Sequence, residues 1–192
     1  MVERLAILDA CVLVQAPLRD TLLRLAEPPR LYQPRWSDQI IAEMKRALEN
    51  QIGLTPSKTS YLERELRRHF ADCWVTNFEP LVRKMKNDPE DRHVLAAAVR
   101  AKATIIVTYN KRHFLPAATL PWSVDAMGPS AFLENLYEEA PAIVMDRIRQ
   151  QAADLGRGLH EQLMVWRRLF RPSLNCFAGT SNREQYHVTV RS

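Results

Sequence analysis

The sequence predicts an α/β fold, a three-layer α/β/α sandwich around a central parallel sheet, followed by a C-terminal helical extension. Short apolar or β-branched runs alternate with stretches of helical periodicity up to about residue 139. Strands that alternate with helices pair in parallel and are covered on both faces. After Pro141 no strand-like run separates the helical stretches before residue 171. We therefore predict a domain over residues 1–140 and a helical extension with a polar tail over residues 141–192.

Two strands are predicted most clearly. The apolar run at residues 5–8 ends abruptly at Asp9, and residues 104–108 are nearly all β-branched, as is typical of strands. The second run is followed by Tyr109 and Asn110. Shorter runs predict the remaining strands, at residues 31–32, 74–76 and, at an edge of the sheet, 122–124.

Helix starts are marked by capping residues and prolines. Ser37 precedes apolar residues at helical spacing that end at Gly53, and Thr55-Pro56 and Asp88-Pro89 each place a cap before a proline. The helices are predicted to begin near residues 17, 38, 56, 89, 129, 141 and 159.

Composition narrows the class of protein. The 192 residues are 46% hydrophobic with a mean hydropathy of -0.29, which fits a globular protein with a sizeable core. No apolar run reaches the length of a membrane span, and the N-terminal run is too short for a signal peptide. Three distant cysteines favour neither zinc nor disulfides, so we expect a cytoplasmic protein. The net charge of +5 permits binding to a polyanion without requiring it.

Four oxygen-bearing side chains are placed where they can converge. Asp9 ends the first strand, Asp91 begins the helix before the 104–108 strand, Glu43 lies at the apolar edge of an early helix, and Asn110 follows the 104–108 strand. Strand ends and neighbouring helix starts share one rim of a parallel sheet, where ligands usually bind. We interpret these four residues as the candidate catalytic set.

Three carboxylates at one rim favour a divalent cation. Within about 5 Å they would repel one another by several kcal/mol at an effective dielectric of ~20. Hard oxygen ligands suit Mg²⁺ or Mn²⁺, which can activate water toward a phosphodiester. The predicted metal ligands are therefore Asp9, Glu43 and Asp91.

Simpler roles exist for individual residues. Asp9 could cap a turn, Glu43 could be a solvated edge residue, and Asp88 is most simply a helix cap. Lys111 and Arg112 follow Asn110 and could bind RNA phosphates or form a solvated turn.

The motifs together resemble the PIN-domain ribonuclease family and, within it, the VapC-like toxins of type II toxin–antitoxin systems. The resemblance covers about residues 4–138. The block at residues 88–98 is the most specific because it joins a cap, an acid and an Ala-rich helix. The other matching blocks are residues 8–10, 41–44 and 106–110, followed by Phe114.

The resemblance implies an α/β/α sandwich with a Mg²⁺ or Mn²⁺ site that cleaves single-stranded RNA, often tRNA for the toxins. It also implies a homodimer and a cognate VapB-like antitoxin that inserts a segment into the active-site groove. By position, Asp9 and Asp91 would ligate metal and Glu43 would ligate it or orient its water. Thr108 and Asn110 would lie at the rim.

Asn110 departs from the family pattern, because many members carry an acid at this position. An amide oxygen can ligate a cation but brings no charge. The number of bound metals, one or two, is therefore left open, and activity could depend on Asp88. The alternative is a catalytically impaired PIN-fold module that binds RNA or antitoxin. A haloacid-dehalogenase-like phosphatase is disfavoured because its second aspartate would fall at Cys11.

Overall fold

The computed structural model describes residues 4–156 and the single positions 158, 161 and 164. Backbone contacts divide the chain into two compact units, one up to Pro129 and one from Ser130. The domain boundary predicted at residue 140 stays a prediction. The helix predicted from residue 159 and the predicted polar tail lie, apart from positions 161 and 164, outside the described residues.

The first unit is built on a four-stranded parallel sheet with the strand order β2-β1-β3-β4. Ile7 on β1 pairs with Arg35 on one side and Ile106 on the other, so β1 and β3 are the central strands. This confirms the predicted α/β class with a parallel sheet. The strands are β1 Leu5–Leu8, β2 Gln33–Arg35, β3 Ile105–Val107 and β4 Asp125–Met127.

Helices connect the strands, and further helices follow the last strand along the chain. In the described part of the chain they are α1 Ala10–Leu13, α2 Ala16–Ala26, α3 Asp38–Ile52, α4 Pro56–His69, α5 Glu79–Val82, α6 Arg92–Ala101, α7 Pro116–Thr119, α8 Pro129–Glu139 and α9 Pro141–Asp154. Short 3-10 turns occupy Ala71–Cys73, Pro89–Asp91, Lys111–His113 and Leu120–Trp122.

The ends of α3 form as the sequence predicts. The Ser37 hydroxyl accepts a hydrogen bond from the Ile40 backbone N–H at 3.3 Å, which satisfies a donor that the first turn cannot. Gly53 ends the helix in the left-handed conformation with φ 75°, which costs glycine little because it lacks a Cβ. Ile40, Met44 and Leu48 lie buried on one face, so α3 has a fixed orientation in the unit.

The core surrounds the two central strands. Ile7 and Leu8 of β1 and Ile106 and Val107 of β3 are fully buried. The helix α6 packs against both strands and turns a run of buried alanines, residues 96–98, inward. Such small side chains let a helix approach a sheet closely, which fixes the position of the residues at its start.

Three predicted strands differ from the observed elements. The strand expected at residues 31–32 lies at β2, where Pro34 is tolerated at the edge of the sheet. The strand expected at residues 74–76 is a single parallel bridge between Trp36 and Trp74. The edge strand expected at residues 122–124 is β4, three residues later, because residues 120–122 form a 3-10 turn.

The second unit contains α8 and α9 among its described residues. Phe132 and Leu136 of α8 and Val144 and Ile148 of α9 are fully buried. The helix α9 agrees with the first helix predicted for the C-terminal extension.

Among the residues described, none of the helices combines the length and apolar character that a membrane span requires.

Candidate active site

The site lies at the switch point of the sheet, between β1 and β3, where the order of the strands reverses. The strand β1 has β2 on one side and β3 on the other. At such a point the chain leaves the carboxyl ends of two neighbouring strands toward opposite sides of the sheet, and a crevice opens between the two strand ends. Asp9 directly follows β1 and Thr108 directly follows β3. The backbone N–H of Asp9 donates to the Val107 carbonyl at 3.1 Å, which holds the two strand ends together.

Asp9 is buried, with 3% of its surface exposed. Its carbonyl accepts hydrogen bonds from Val12 and Leu13 and so begins α1, but its carboxylate caps no helix N–H. The role of helix cap is therefore excluded for the Asp9 side chain.

Two side chains donate to the same oxygen of Asp9. The Thr108 hydroxyl donates to Oδ2 at 2.6 Å, and the Cys11 thiol donates to it at 3.2 Å. Burial, reinforced by the charge of Asp9, raises the pKa of Cys11 to about 12, so Cys11 acts as a neutral donor. The Thr108 hydroxyl in turn accepts the backbone N–H of Asn110 at 2.9 Å.

Glu43 lies on α3, which packs against α1 beside Asp9. Its side chain is 27% exposed, and burial raises its pKa to about 7, with smaller contributions from the charges of Asp9 and Asp91. A hydrogen bond from Gln39 and the charge of Arg46 oppose this rise. Glu43 therefore lies within the electrostatic reach of both predicted partners.

Asp91 ends the 3-10 turn before α6, and its side chain caps no helix N–H. Burial raises its pKa, and the charges of Asp9 and Asp88 act in the same direction. His113 lowers the pKa of Asp91, because its Nδ1 lies 2.5 Å from Asp91 Oδ2. Asp88 does act as a cap, since its Oδ1 accepts the Glu90 backbone N–H at 3.1 Å.

His93 and His113 are neighbours of the acids that the sequence did not single out as site residues. Burial lowers the pKa of His93, whose Nε2 lies 3.2 Å from Glu43 Oε1. That contact lacks hydrogen-bond geometry, and neither ring nitrogen of His93 has a hydrogen-bond partner among the described residues. Sequence position marked His113 only as the end of a basic run, because its contact with Asp91 joins residues 22 positions apart.

The residues after β3 line the outer rim. The backbone N–H of Asn110 donates a hydrogen bond to the Thr108 hydroxyl, and the Asn110 side chain makes no capping bond to the turn at residues 111–113. Lys111 and Arg112 are exposed in that turn. Arg112 Nε donates to His113 Nε2 at 3.2 Å, which brings a guanidinium close to the acids.

The acids therefore form two overlapping groups. The charges of Asp9 and Asp91 act on Glu43, and the charge of Asp9 acts on Asp91. Within the described part of the chain, the group with ligand atoms all within 4.8 Å of one another is Asp88, Asp91 and His113. Asp91 belongs to both groups.

Residues 6–112 match the sequence model of the PIN domain, which is more than half of the chain. The chain belongs to the PIN domain family. The matched segment of this PIN domain contains Asp9, Glu43, Asp91 and Asn110.

One relative extends the comparison. The chain is 45% identical over 76 residues to a Mycobacterium tuberculosis protein named "Putative ribonuclease VapC50". That alignment covers 38% of this chain and 45% of the relative, so the chain spans less than half the length of the protein it matches.

Proposed function

We propose that this PIN domain protein is a divalent-metal-dependent endoribonuclease that cleaves single-stranded RNA, with tRNA as the first substrate to test. The observation that carries the proposal is the buried Asp9 carboxylate at the switch point of the sheet, in the same electrostatic field as Glu43 and Asp91. Membership of the PIN family and the name of the M. tuberculosis relative support it.

The acids suit a hard cation. Burial and mutual repulsion disfavour the ionised forms of Glu43 and Asp91, and a divalent cation would reverse both effects. Asp9 and Asp91 would ligate it directly, and Glu43 would ligate it or hold its water. Carboxylate oxygens favour Mg²⁺ or Mn²⁺, and such an ion, when bound, polarises a phosphodiester and stabilises its leaving oxygen.

The other side chains position these acids and the substrate. Thr108 and Cys11 fix the orientation of Asp9 through hydrogen bonds to Asp9 Oδ2. His113 holds Asp91 through a contact with Asp91 Oδ2. Lys111 and Arg112 are exposed beside the rim, where they would bind phosphates of the RNA on either side of the scissile bond.

The biological role that we propose is that of a toxin in a toxin–antitoxin pair, acting in the cytoplasm as a homodimer. Its partner would be a VapB-like antitoxin that covers the acidic groove. The support is the likeness to the named relative and the resemblance of the motifs to VapC-like toxins. Co-purification with the product of an adjacent small gene tests the antitoxin partner. The mass of the complex by light scattering tests the homodimer.

A second candidate is an RNA- or antitoxin-binding module with impaired catalysis. Asn110 favours it, because the side chain there brings no charge and makes no capping bond in the structure. In that case RNA binding would survive the loss of Asp9 or Asp91, and added metal would change little.

The deciding experiment is cleavage of total tRNA by the purified, antitoxin-free protein with Mg²⁺ or Mn²⁺ and then with EDTA. We expect discrete fragments that require metal, and a loss of at least about 100-fold in rate for Asp91→Asn, because a cation is worth several kcal/mol to such a transition state. Asp72→Asn is the matched control, since Asp72 is exposed in the turn at residues 71–73 and is not one of the predicted site residues.

Undiminished cleavage by folded Asp91→Asn protein would refute the site assignment. No cleavage by either protein, with RNA binding retained in both, would establish the binding module. In that event Asn110→Asp is the next variant, since it restores the missing charge.

A further inference from the structure

Tyr109 is an exposed aromatic residue at the rim of the candidate active site. It stands between Thr108, whose hydroxyl donates to Asp9, and Asn110. The exposed fraction of Tyr109 is 40%. In the part of the chain that the structure describes, the exposed residues with a phenyl, phenol or indole ring are Tyr61 and Tyr109, and Tyr109 is the one that adjoins a residue of the site.

The backbone on both sides of the Tyr109 side chain is fixed by the site itself. The N–H of Tyr109 donates to Cys11 Sγ at 3.4 Å, and the Cys11 thiol in turn donates to Asp9 Oδ2. The N–H of Asn110 donates to the Thr108 hydroxyl at 2.9 Å. Because Cys11 and Thr108 both bind Asp9, the Cα of Tyr109 keeps a constant position relative to the central carboxylate.

The far end of the Tyr109 ring is held by a different segment. The Tyr109 hydroxyl donates to Gln15 Oε1 at 3.3 Å, across 94 positions of the chain. Gln15 stands between α1 and α2, and its side chain makes no capping bond to α2. Burial raises the pKa of Tyr109, so the hydroxyl stays protonated and donates. A ring that is held at both ends loses little further conformational entropy when a ligand covers its exposed part.

The neighbours of Tyr109 indicate what would cover it, since a single exposed aromatic residue is common on protein surfaces. Lys111 and Arg112 follow within three positions and are exposed. Proteins hold single-stranded RNA by binding its phosphates with cations and stacking its bases on neutral rings. Tyr61 differs, because the guanidinium carbon of Arg64 already lies over its ring, 5.8 Å from the centroid.

We propose that Tyr109 stacks on a nucleobase of the RNA, next to the phosphate that the acids hold. The inference rests on the proposed RNA substrate, and it adds a base contact to the phosphate contacts of Lys111 and Arg112. Stacking uses the face of any base, so Tyr109 contributes affinity with little sequence preference. Since the ring is fixed relative to Asp9, the stacked base also sets which phosphate of the strand reaches the acids.

The test compares two strands of equal length and charge, a short mixed-sequence RNA and an abasic strand that has the phosphates but no bases. Fluorescence anisotropy at low salt in EDTA measures their affinities for the full chain, and the absence of metal prevents metal-dependent cleavage. Tyr109→Leu should weaken binding of the RNA at least about fivefold, because leucine offers no ring to the base. It should leave the affinity for the abasic strand unchanged.

Tyr109→Phe separates the ring from its hydroxyl. Phenylalanine keeps the stacking face and loses only the hydrogen bond to Gln15, so this variant should bind the RNA within about twofold of the wild-type protein. Tyr61→Leu is the matched control, since Tyr61 is exposed on α4, and it should change neither affinity.

The inference fails if Tyr109→Leu weakens both strands equally, which would show that the ring supports the fold or the cations. An unchanged affinity of Tyr109→Leu for the RNA would also overturn it and leave the proposed function standing, with Lys111 and Arg112 as the RNA contacts. Equal losses in Tyr109→Phe and Tyr109→Leu would assign the effect to the hydroxyl and refute stacking. A wild-type protein that binds neither strand would refute the inference and the RNA substrate together.

Discussion

The Thr108 hydroxyl donates a hydrogen bond of 2.6 Å to Asp9 Oδ2, and both residues are buried although 99 positions separate them in the chain. The bond joins the carboxyl ends of the two central strands, β1 and β3. The same hydroxyl accepts the Asn110 N–H, so one small side chain connects Asp9 to the start of the basic turn. The orientation of the central acid therefore depends on the pairing of β1 with β3.

Thr108→Val should destabilise the protein by roughly 1–3 kcal/mol, because the buried Asp9 carboxylate loses a donor and the Asn110 N–H loses its acceptor. Valine has nearly the same shape, so packing is preserved. The measurement is urea denaturation without metal. Thr108→Ser keeps the hydroxyl and should retain most of the stability. Equal losses in both variants would show that the methyl group, and not the hydrogen bond, matters.

Cys11 should react slowly with iodoacetamide at pH 8, because its pKa of about 12 leaves almost no thiolate. We expect its alkylation to be at least about 100-fold slower in the native protein than in urea, where thiols have pKa values near 8.5. Peptide mass spectrometry after timed labelling separates Cys11 from Cys73 and Cys176. Rapid native labelling of Cys11 would show that its thiol is not held against Asp9.

Glu43 should make the metal-free protein less stable as the pH rises. Its pKa is raised from 4.5 to about 7 in the folded chain, so the stability it contributes is complete below pH 4.5 and is lost as the pH rises through about 7. The loss is at most about 3.5 kcal/mol, at about 1.4 kcal/mol per pKa unit, and solvent screening of a partly exposed group reduces it.

Glu43→Gln tests this because it cannot ionise. The variant should have a higher Tm than the wild-type protein in EDTA at pH 8 and should gain less from added Mg²⁺. Glu138→Gln, at an exposed position of α8, is the control and should behave like the wild-type protein. A Tm for Glu43→Gln that follows the wild-type pH profile would contradict the position that we assign to Glu43.

Lys111 and Arg112 should contribute to RNA affinity through phosphates alone. The double variant Lys111→Gln and Arg112→Gln should reduce the slope of log affinity against log salt concentration by about 0.7 for each phosphate that is no longer neutralised, uniformly across sequences. Fluorescence anisotropy with short single-stranded RNAs at several salt concentrations gives the slope. Arg64→Gln and Arg68→Gln, on the outer face of α4, form the matched control. An unchanged slope would assign the residues 111–112 to a solvated turn.

The sequence predicted most elements whose signals are local. The Ser37 cap and the Gly53 stop bound α3 as expected, and the abrupt end of the first apolar run placed Asp9 at the end of β1. Edge strands were displaced by two or three residues because their positions depend on pairing partners far along the chain. The run at residues 74–76 carries strand-forming residues, yet it pairs through a single bridge.

The sequence by itself determined which side chains could form an acidic centre, because strand ends and helix starts can be recognised from neighbouring residues. The tertiary structure decided what surrounds them. The contact of His113 with Asp91, the donors that hold Asp9, and the burial that raises the pKa of Glu43 all join separate segments. Such relationships have no local signal, since distance, desolvation and charge act through space and depend on how the chain is folded.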